Sequence, residues 1–131
     1  MVKVLDANAL LAYSEKEAGY EKVQALFVKA AESGHSLLMT TVNWGEVCYI
    51  LFRDHAEKAD EAIKFINTLP IEIVDVDKEI ARQAALYKAQ KKLPYADCFA
   101  AALAKLRKGE LVTADREFKA IEGEIRILWT M

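Results

Sequence analysis

Short apolar runs alternating with amphipathic helical stretches predict an α/β fold, with a mostly parallel central sheet of about five short strands covered on both faces. Three observations carry this. The candidate strands are apolar nearly throughout, as strands buried on both faces are. Segments with helical periodicity separate most of them, as crossover connections require. The composition is that of a packed domain rather than a disordered chain, with 53% hydrophobic and 29% charged residues, five Gly and two Pro. At 131 residues the chain fits one domain, 1–131. That length buries roughly 65–70% of the unfolded surface without staples.

Val2 to Leu5 is the first apolar run and reads as a short strand ending at Asp6. Ala7 to Tyr13 forms a brief helix, and Gly19 to Ala31 a longer one carrying Val23, Leu26, Phe27 and Ala30 at helical spacing. Ser33–Gly34 stops it. Ser36 to Thr40 is the second strand. Asn43 then starts a helix with a Val47, Ile50, Leu51 stripe, edged by Trp44, Cys48 and His55. Ala56 to Leu69 is amphipathic through Ala59, Ala62, Ile63 and Ile66, and Pro70 ends it because the residue before proline avoids helical geometry.

Ile71 to Val76 alternates as a third strand, and Asp77 caps a helix running to about Lys91. Pro94 fits the first turn of the next helix, Tyr95 to Arg107, with Gly109 at its carboxyl end. Glu110 to Thr113 is strand four, Asp115 to Ala120 a short helix, and Ile125 to Trp129 the last strand. The Ala100–Ala102 run allows close approach of another element, either the sheet or a dimer mate.

The formal charge is −2, from 18 basic and 20 acidic residues, without the basic excess of most nucleic-acid binders. A metal site that neutralises acids locally is compatible with that balance. Cys48 and Cys98, fifty residues apart and outside any CxxC, read as buried reduced thiols of a cytoplasmic protein. No signal peptide and no membrane-spanning run are expected.

In parallel sheets, ligands sit outside the carboxyl ends of the strands. Asp6 follows strand one, Asp115 lies just past strand four, and Glu46 lies in the first turn after strand two. Asp97, in the first turn of the Pro94 helix, reaches that edge only through a tertiary arrangement that spacing does not supply. Each acid also has a local explanation. Asp6 suits an Asx-turn. Asn43-x-x-Glu46 suits a capping box. Asp97 suits the helix dipole, and Asp115 an N-cap. Those roles explain residue type but not shared location. Two carboxylates about 4 Å apart repel by about 4 kcal/mol at an effective dielectric near 20, so several at one edge call for a cation or a shared proton. Oxygen-only donors suit Mg²⁺ or Mn²⁺ rather than zinc. Asn8 and Thr113 lie two residues from Asp6 and Asp115; Asn8 is a candidate to orient the Asp6 carboxylate or a metal-bound water, and Thr113 to donate to a carboxylate.

The segments Val-Leu-Asp6-Ala-Asn8-Ala-Leu, Thr-Val-Asn-Trp-Gly-Glu46-Val, Tyr-Ala-Asp97-Cys-Phe-Ala-Ala-Ala and Thr113-Ala-Asp115-Arg-Glu-Phe resemble, in order, the four motifs of PIN-domain ribonucleases. Among these the chain is most similar to VapC-type toxins of toxin–antitoxin modules. The resemblance implies a three-layer α/β/α fold. It implies that Asp6, Glu46, Asp97 and Asp115 hold one or two Mg²⁺ or Mn²⁺ ions, Asp115 directly or through water. It implies in-line hydrolysis of RNA phosphodiesters by an activated water, leaving a 5′-phosphate and a 3′-hydroxyl. The implied substrate is tRNA, rRNA or mRNA, and the implied partners are a second copy of the chain and a cognate antitoxin that enters the active-site groove. Two other readings stay open: a PIN nuclease of RNA processing, and a non-catalytic PIN binding module.

Arg116, beside Asp115, is a candidate RNA contact. Trp44 and Tyr95 suit either base stacking or packing. Lys88, Lys91, Lys92, Lys105, Arg107 and Lys108 suit either phosphate contacts that do not read sequence or, the preferred reading, a solvated face with cations at helix ends, and His35 and His55 read as surface residues. Asp75, Asp77, Glu79, Glu57, Asp60, Glu61, Glu122 and Glu124 fall on strand ends and polar helix faces.

Overall fold

The computed structural model describes residues 1–131. In chain order the elements are β1 (Lys3–Leu5), α1 (Ala7–Ser14), α2 (Tyr20–Ser33), β2 (Leu37–Thr40), α3 (Thr41–Asp54) and α4 (Ala59–Ile66). There follow β3 (Ile71–Val74), α5 (Lys78–Gln90), α6 (Tyr95–Leu106), β4 (Glu110–Thr113), a 3₁₀ turn (Arg116–Ile121) and β5 (Arg126–Trp129). The five strands form one sheet in the order β3-β2-β1-β4-β5, and every pairing is parallel. This is the three-layer α/β/α arrangement that the alternating pattern predicts.

Successive strand residues feed opposite cores, because side chains alternate along a strand. Val4, Leu38 and Leu111 pack with Ile80, Ala84 and Tyr87 of α5 and Phe99 to Ala104 of α6. Their neighbours Leu5, Met39 and Val112 pack on the other face with Leu10, Val23, Phe27, Val47 and Leu51 of α1, α2 and α3. Ala100, Ala101 and Ala102 are fully buried, so the small-residue run seats α6 within the chain and is not presented to a second copy.

Several boundaries differ from the pattern-based ones. Helix α3 starts at Thr41, and its cap is Thr40, whose hydroxyl accepts from the Asn43 amide at 3.1 Å and donates to the Asn43 side-chain oxygen at 2.6 Å. The cap therefore lies three residues before Asn43, and Glu46 is not engaged in capping. Helix α4 is shorter than Ala56 to Leu69, β3 stops at Val74, and Pro94 stands before the first turn of α6 rather than in it.

Gly34 ends α2 in the left-handed conformation, at φ 74°. Gly109 does not play that part after α6; Lys108 takes the left-handed position, at φ 53°. What requires glycine at 109 is close approach, since a Cβ there would collide with the Val2 carbonyl oxygen. Gly109→Ala is expected to lower stability by about 1–3 kcal/mol, the cost of forcing apart packed backbone. Urea denaturation checks this, and an unchanged midpoint would mean that β1 and the α6–β4 turn separate freely.

No helix is long and apolar enough to cross a membrane.

Candidate metal centre and nuclease site

Strand order places β1 between β2 and β4, so the chain leaves β1 toward one side of the sheet and later returns on the other. That reversal opens a crevice at the carboxyl ends of β1 and β4. Leu5 pairs with Val112 and Val4 with Leu38, which sets Asp6 level with Thr113 and Thr40 one residue further on.

Asp6 is 2% exposed. One carboxylate oxygen caps α1 by accepting from the Ala9 amide at 2.8 Å. The other accepts from the Thr113 hydroxyl. That hydroxyl also accepts from the Asp115 amide at 2.9 Å, and one Asp115 oxygen accepts from the Glu117 amide at 2.9 Å. One threonine thus ties the end of β1 to the turn that carries Asp115. The Asx-cap roles of Asp6 and Asp115 are real, and each coexists with a place on the common rim.

Thr113→Val removes the hydroxyl from this bridge and leaves a buried carboxylate oxygen and an amide without partners. We expect a loss of about 1–3 kcal/mol, read by denaturant unfolding, with Thr113→Ser close to wild type. Equal losses for valine and serine would assign the effect to packing instead.

Glu46 stands in the second turn of α3, half-buried. Asn43, read from spacing only as a helix start, proves to be a buried connector. Its side-chain amide donates to the Ala96 carbonyl at 3.0 Å, locking the start of α6 against the start of α3, and it lies close enough to Glu46 to favour that residue's charged form. The Thr40-x-x-Asn43 spacing was the available signal for this cap, since the first residue of such a pair caps and the second reciprocates.

Asp97 is brought to the rim by the packing of α6. The helix ends at the amino edge, where β4 begins, and its first turn is tied to the start of α3 beside the acids. One Asp97 oxygen, Oδ2, is buried without any hydrogen-bond partner.

Asp6, Glu46 and Asp97 each feel neighbouring carboxylates. Burial raises the pKa of Asp6 to about 7 against the hydrogen bonds from Thr113 and Ala9, with Asp115 and Glu46 adding to the rise. Burial raises Asp97 to about 8, helped by Asp115, Asp6, Glu46 and Glu117. Glu46 is raised by burial, against the nearby Asn43 side chain and together with Asp115. No Lys or Arg contributes to any of these shifts. The donor set is all oxygen and partly desolvated, the kind that hard divalent cations take. No group of three His, Cys, Asp or Glu side chains is arranged here to hold a metal ion.

The remaining candidates divide. Asn8 is exposed and makes no hydrogen bond to Asp6, whose two oxygens accept from the Ala9 amide and the Thr113 hydroxyl. Arg116 is exposed, donates to the Met131 main-chain oxygen at 2.6 Å and lies over Trp129. Trp44 packs partly into the α1–α3 core, while Tyr95 is 51% exposed with its ring edge-to-face on Phe99. His35 is exposed, and exposed His55 pairs with Glu15 at 2.7 Å. Lys88 donates to the Leu93 carbonyl and Lys91 pairs with Glu124, the helix-end roles expected of a solvated face. Cys48 and Cys98 are buried free thiols. The open cavity of about 690 Å³ lined by Lys3, Lys29, His35 and Glu72 lies at the amino edge of the sheet, away from the acids.

A parallel sheet in β3-β2-β1-β4-β5 order with acids at its switch point defines a class of α/β domain whose ligand crevice lies at the carboxyl edge of the sheet. The PIN domain family profile matches residues 3–124, and the chain belongs to that family. No curated protein sequence matches it at a significant level. Among solved structures, a chain of the DNA-bound VapBC from Salmonella typhimurium is 21% identical, with 100% of this chain and 99% of that one aligned at a TM-score of 0.78. A chain of VapBC2 from Rickettsia felis bound to a promoter DNA fragment is 18% identical over 98% of both chains, with a TM-score of 0.73. VapC20 of Mycobacterium tuberculosis, a toxin that cleaves the sarcin–ricin loop, is 14% identical over 90% of this chain and 93% of that one, at 0.67. At these identities the likeness is one of fold.

Proposed function

We propose that the protein is a Mg²⁺- or Mn²⁺-dependent ribonuclease, the toxin of a toxin–antitoxin pair. The observation that carries this is the collection of Asp6, Glu46, Asp97 and Asp115 from four separate elements on one rim, with Asp97 Oδ2 buried and unpaired. Membership of the PIN family and the full-length likeness to chains of VapBC complexes support the toxin assignment and a protein antitoxin as partner.

When bound, the ion neutralises charge that develops on the phosphodiester and lowers the pKa of water. The chain's own residues do the rest. Asp97, with a free oxygen, and Asp6, held rigidly by Ala9 and Thr113, are the ligands of first choice. Glu46, on the half-open side, is placed to take a proton from water at its carboxylate and release it to solvent. Asp115, with one oxygen committed to Glu117, acts directly or through water. The exposed aromatics Tyr49 and Phe52 on α3 and Phe65 on α4 offer a surface to an antitoxin or a second copy.

Sequencing of 5′ ends in total cellular RNA, after expression of wild type and Asp6→Asn side by side, tests the reading. The expected result is discrete new ends and growth arrest with wild type only, relieved by the candidate antitoxin. Identical ends from both proteins would remove the acid rim from the reaction.

A further inference from the structure

At the amino ends of β4 and β5, on the edge of the sheet opposite the acids, three cations gather without counter-ions. Lys105 lies in the last turn of α6, Lys108 in the turn that follows, and Arg126 opens β5. All three are exposed at their heads and line one open cavity of about 350 Å³, against buried Ala104 and Ile125. None of them enters an ion pair. The acids that could serve them are engaged elsewhere. Glu110, which pairs with Arg126 in the β4–β5 register, holds Lys3 at 2.6 Å. Glu124, the one acid on the cavity wall, holds Lys91 at 3.0 Å. The end of α6 does not need the lysines either, because the Leu103, Ala104 and Lys105 carbonyls accept from the amides of Arg107, Gly109 and Lys108. A cavity of this volume is about as wide as the Debye length at physiological salt, roughly 8 Å, so the three charges repel with only partial screening.

We propose that this cavity binds a small anion carrying two or more phosphate groups, inorganic or on a nucleoside. The inference goes beyond the ribonuclease reading and holds whatever reaction the acids perform. Three uncompensated cations call for a ligand with several negative charges, which a single carboxylate does not supply. A guanidinium takes two oxygens of one phosphate in its planar fork, and the two ammonium groups serve the next phosphate as point charges. Concavity favours a small ligand over a polymer, since the volume falls near the lower end of small-molecule sites, about 300–1,000 Å³. Location favours it too. Helix α6, 12 residues and therefore about 18 Å long, separates the cavity from Asp97 in its first turn. A strand of RNA lying over the acids is at the other edge of the sheet and does not run through this cavity. Because the cations come from α6, the following turn and β5, the ligand binds only the folded chain and stabilises it.

The probe is inorganic pyrophosphate, titrated calorimetrically into the full chain at pH 7.5 in EDTA, where the acids at the other edge repel it. The expected result is saturable one-to-one binding, about tenfold or more tighter than that of inorganic phosphate. Lys105→Gln, Lys108→Asn and Arg126→Gln should each weaken it by about 10- to 100-fold, the range of a lost hydrogen bond to a charged group. Asparagine is chosen at 108 because it tolerates the left-handed backbone there, at φ 53°. Lys29→Gln removes the same charge from the other cavity on the amino edge and should change nothing. Adenosine diphosphate that binds more tightly than pyrophosphate assigns the site to a nucleotide, and equal binding assigns it to the phosphates alone; either supports the proposal. Should a variant fold poorly, wild-type amide shifts decide, moving at residues 104–110 and 124–126 and not at Asp6 or Asp97. Absence of saturable binding, an equal loss in Lys29→Gln, or shifts centred on the acids would overturn the proposal. So would displacement of pyrophosphate by a single-stranded RNA 12-mer at lower concentration than by adenosine diphosphate, which would make this face a polynucleotide surface.

Discussion

Asp97→Asn is expected to lower Mn²⁺-dependent RNA cleavage by about 10³-fold or more while making the metal-free protein more stable at pH 7.5. The two effects have one cause. Asp97 carries a buried oxygen with no partner, and burial together with the neighbouring acids lifts its pKa to about 8. Asparagine keeps the shape and discards the charge, so it relieves the repulsion and cannot supply an anionic ligand.

The sign of the pH dependence follows directly. An ordinary aspartate ionises near pH 3.9 in the unfolded chain, whereas folded Asp97 and Asp6 hold their protons to about 8 and 7. Between those values the folded state binds more protons than the unfolded one, so stability falls as pH rises from about 4 toward 8. For Asp6, fully buried, a rise of about three units corresponds to at most about 4 kcal/mol. The acids share their repulsion, so the two contributions do not add. Thermal unfolding in EDTA at pH 5.5 and 7.5 should show wild type losing several degrees at the higher pH and Asp97→Asn losing less. A wild-type melting temperature that rises over that interval would contradict the electrostatics assigned to the rim.

Mn²⁺ or Mg²⁺ is expected to restore what high pH removes. An ion that binds only the folded protein stabilises it by RT ln(1 + [L]/Kd), about 2.7 kcal/mol at a hundredfold excess over Kd. Because the ion competes with the protons on Asp6 and Asp97, its affinity should be greater at pH 7.5 than at 5.5, with protons released on binding. Calorimetric titration in two buffers of different ionisation enthalpy measures that release. Asp6→Asn and Asp97→Asn should each weaken binding strongly, whereas Asn8→Ala, on the exposed side of α1, should leave it unchanged. Equal heats and equal melting temperatures with and without metal would rule out the ion, and with it the hydrolytic reading of the site.

Much of this was legible in the chain itself, and the failures have physical reasons. Asp6 and Asp115 could be set at the carboxyl edge because each directly follows an apolar run, and in a parallel sheet every strand ends on the same side. Asp97 was harder, because its helix precedes a strand and follows α5 within the same crossover, so only the packing of α6 decides that its first turn lies at the carboxyl edge. The start of α3 was misread because Asn43 is as good a cap as Thr40 in isolation. The choice between them is made by Ala96, fifty-three residues away, whose carbonyl takes the Asn43 amide. Asn8 looked like a partner for Asp6 by proximity along the chain, whereas the bonds that Asp6 accepts come from the Ala9 amide and the Thr113 hydroxyl, the second of them 107 positions away.

What the amino-acid order determined by itself is local: where the hydrophobic period switches between strand and helix, and hence which acids end strands and which open helices. Strand neighbours are another matter. The order β3-β2-β1-β4-β5 and its register place Thr40, Asp6, Thr113 and Trp129 in one row, joining residues up to 107 positions apart by hydrogen bond. No periodicity encodes that row. It is chosen by which helix faces can be buried together on the two sides of the sheet, a nonlocal packing decision, and the candidate site exists only once that decision has been made.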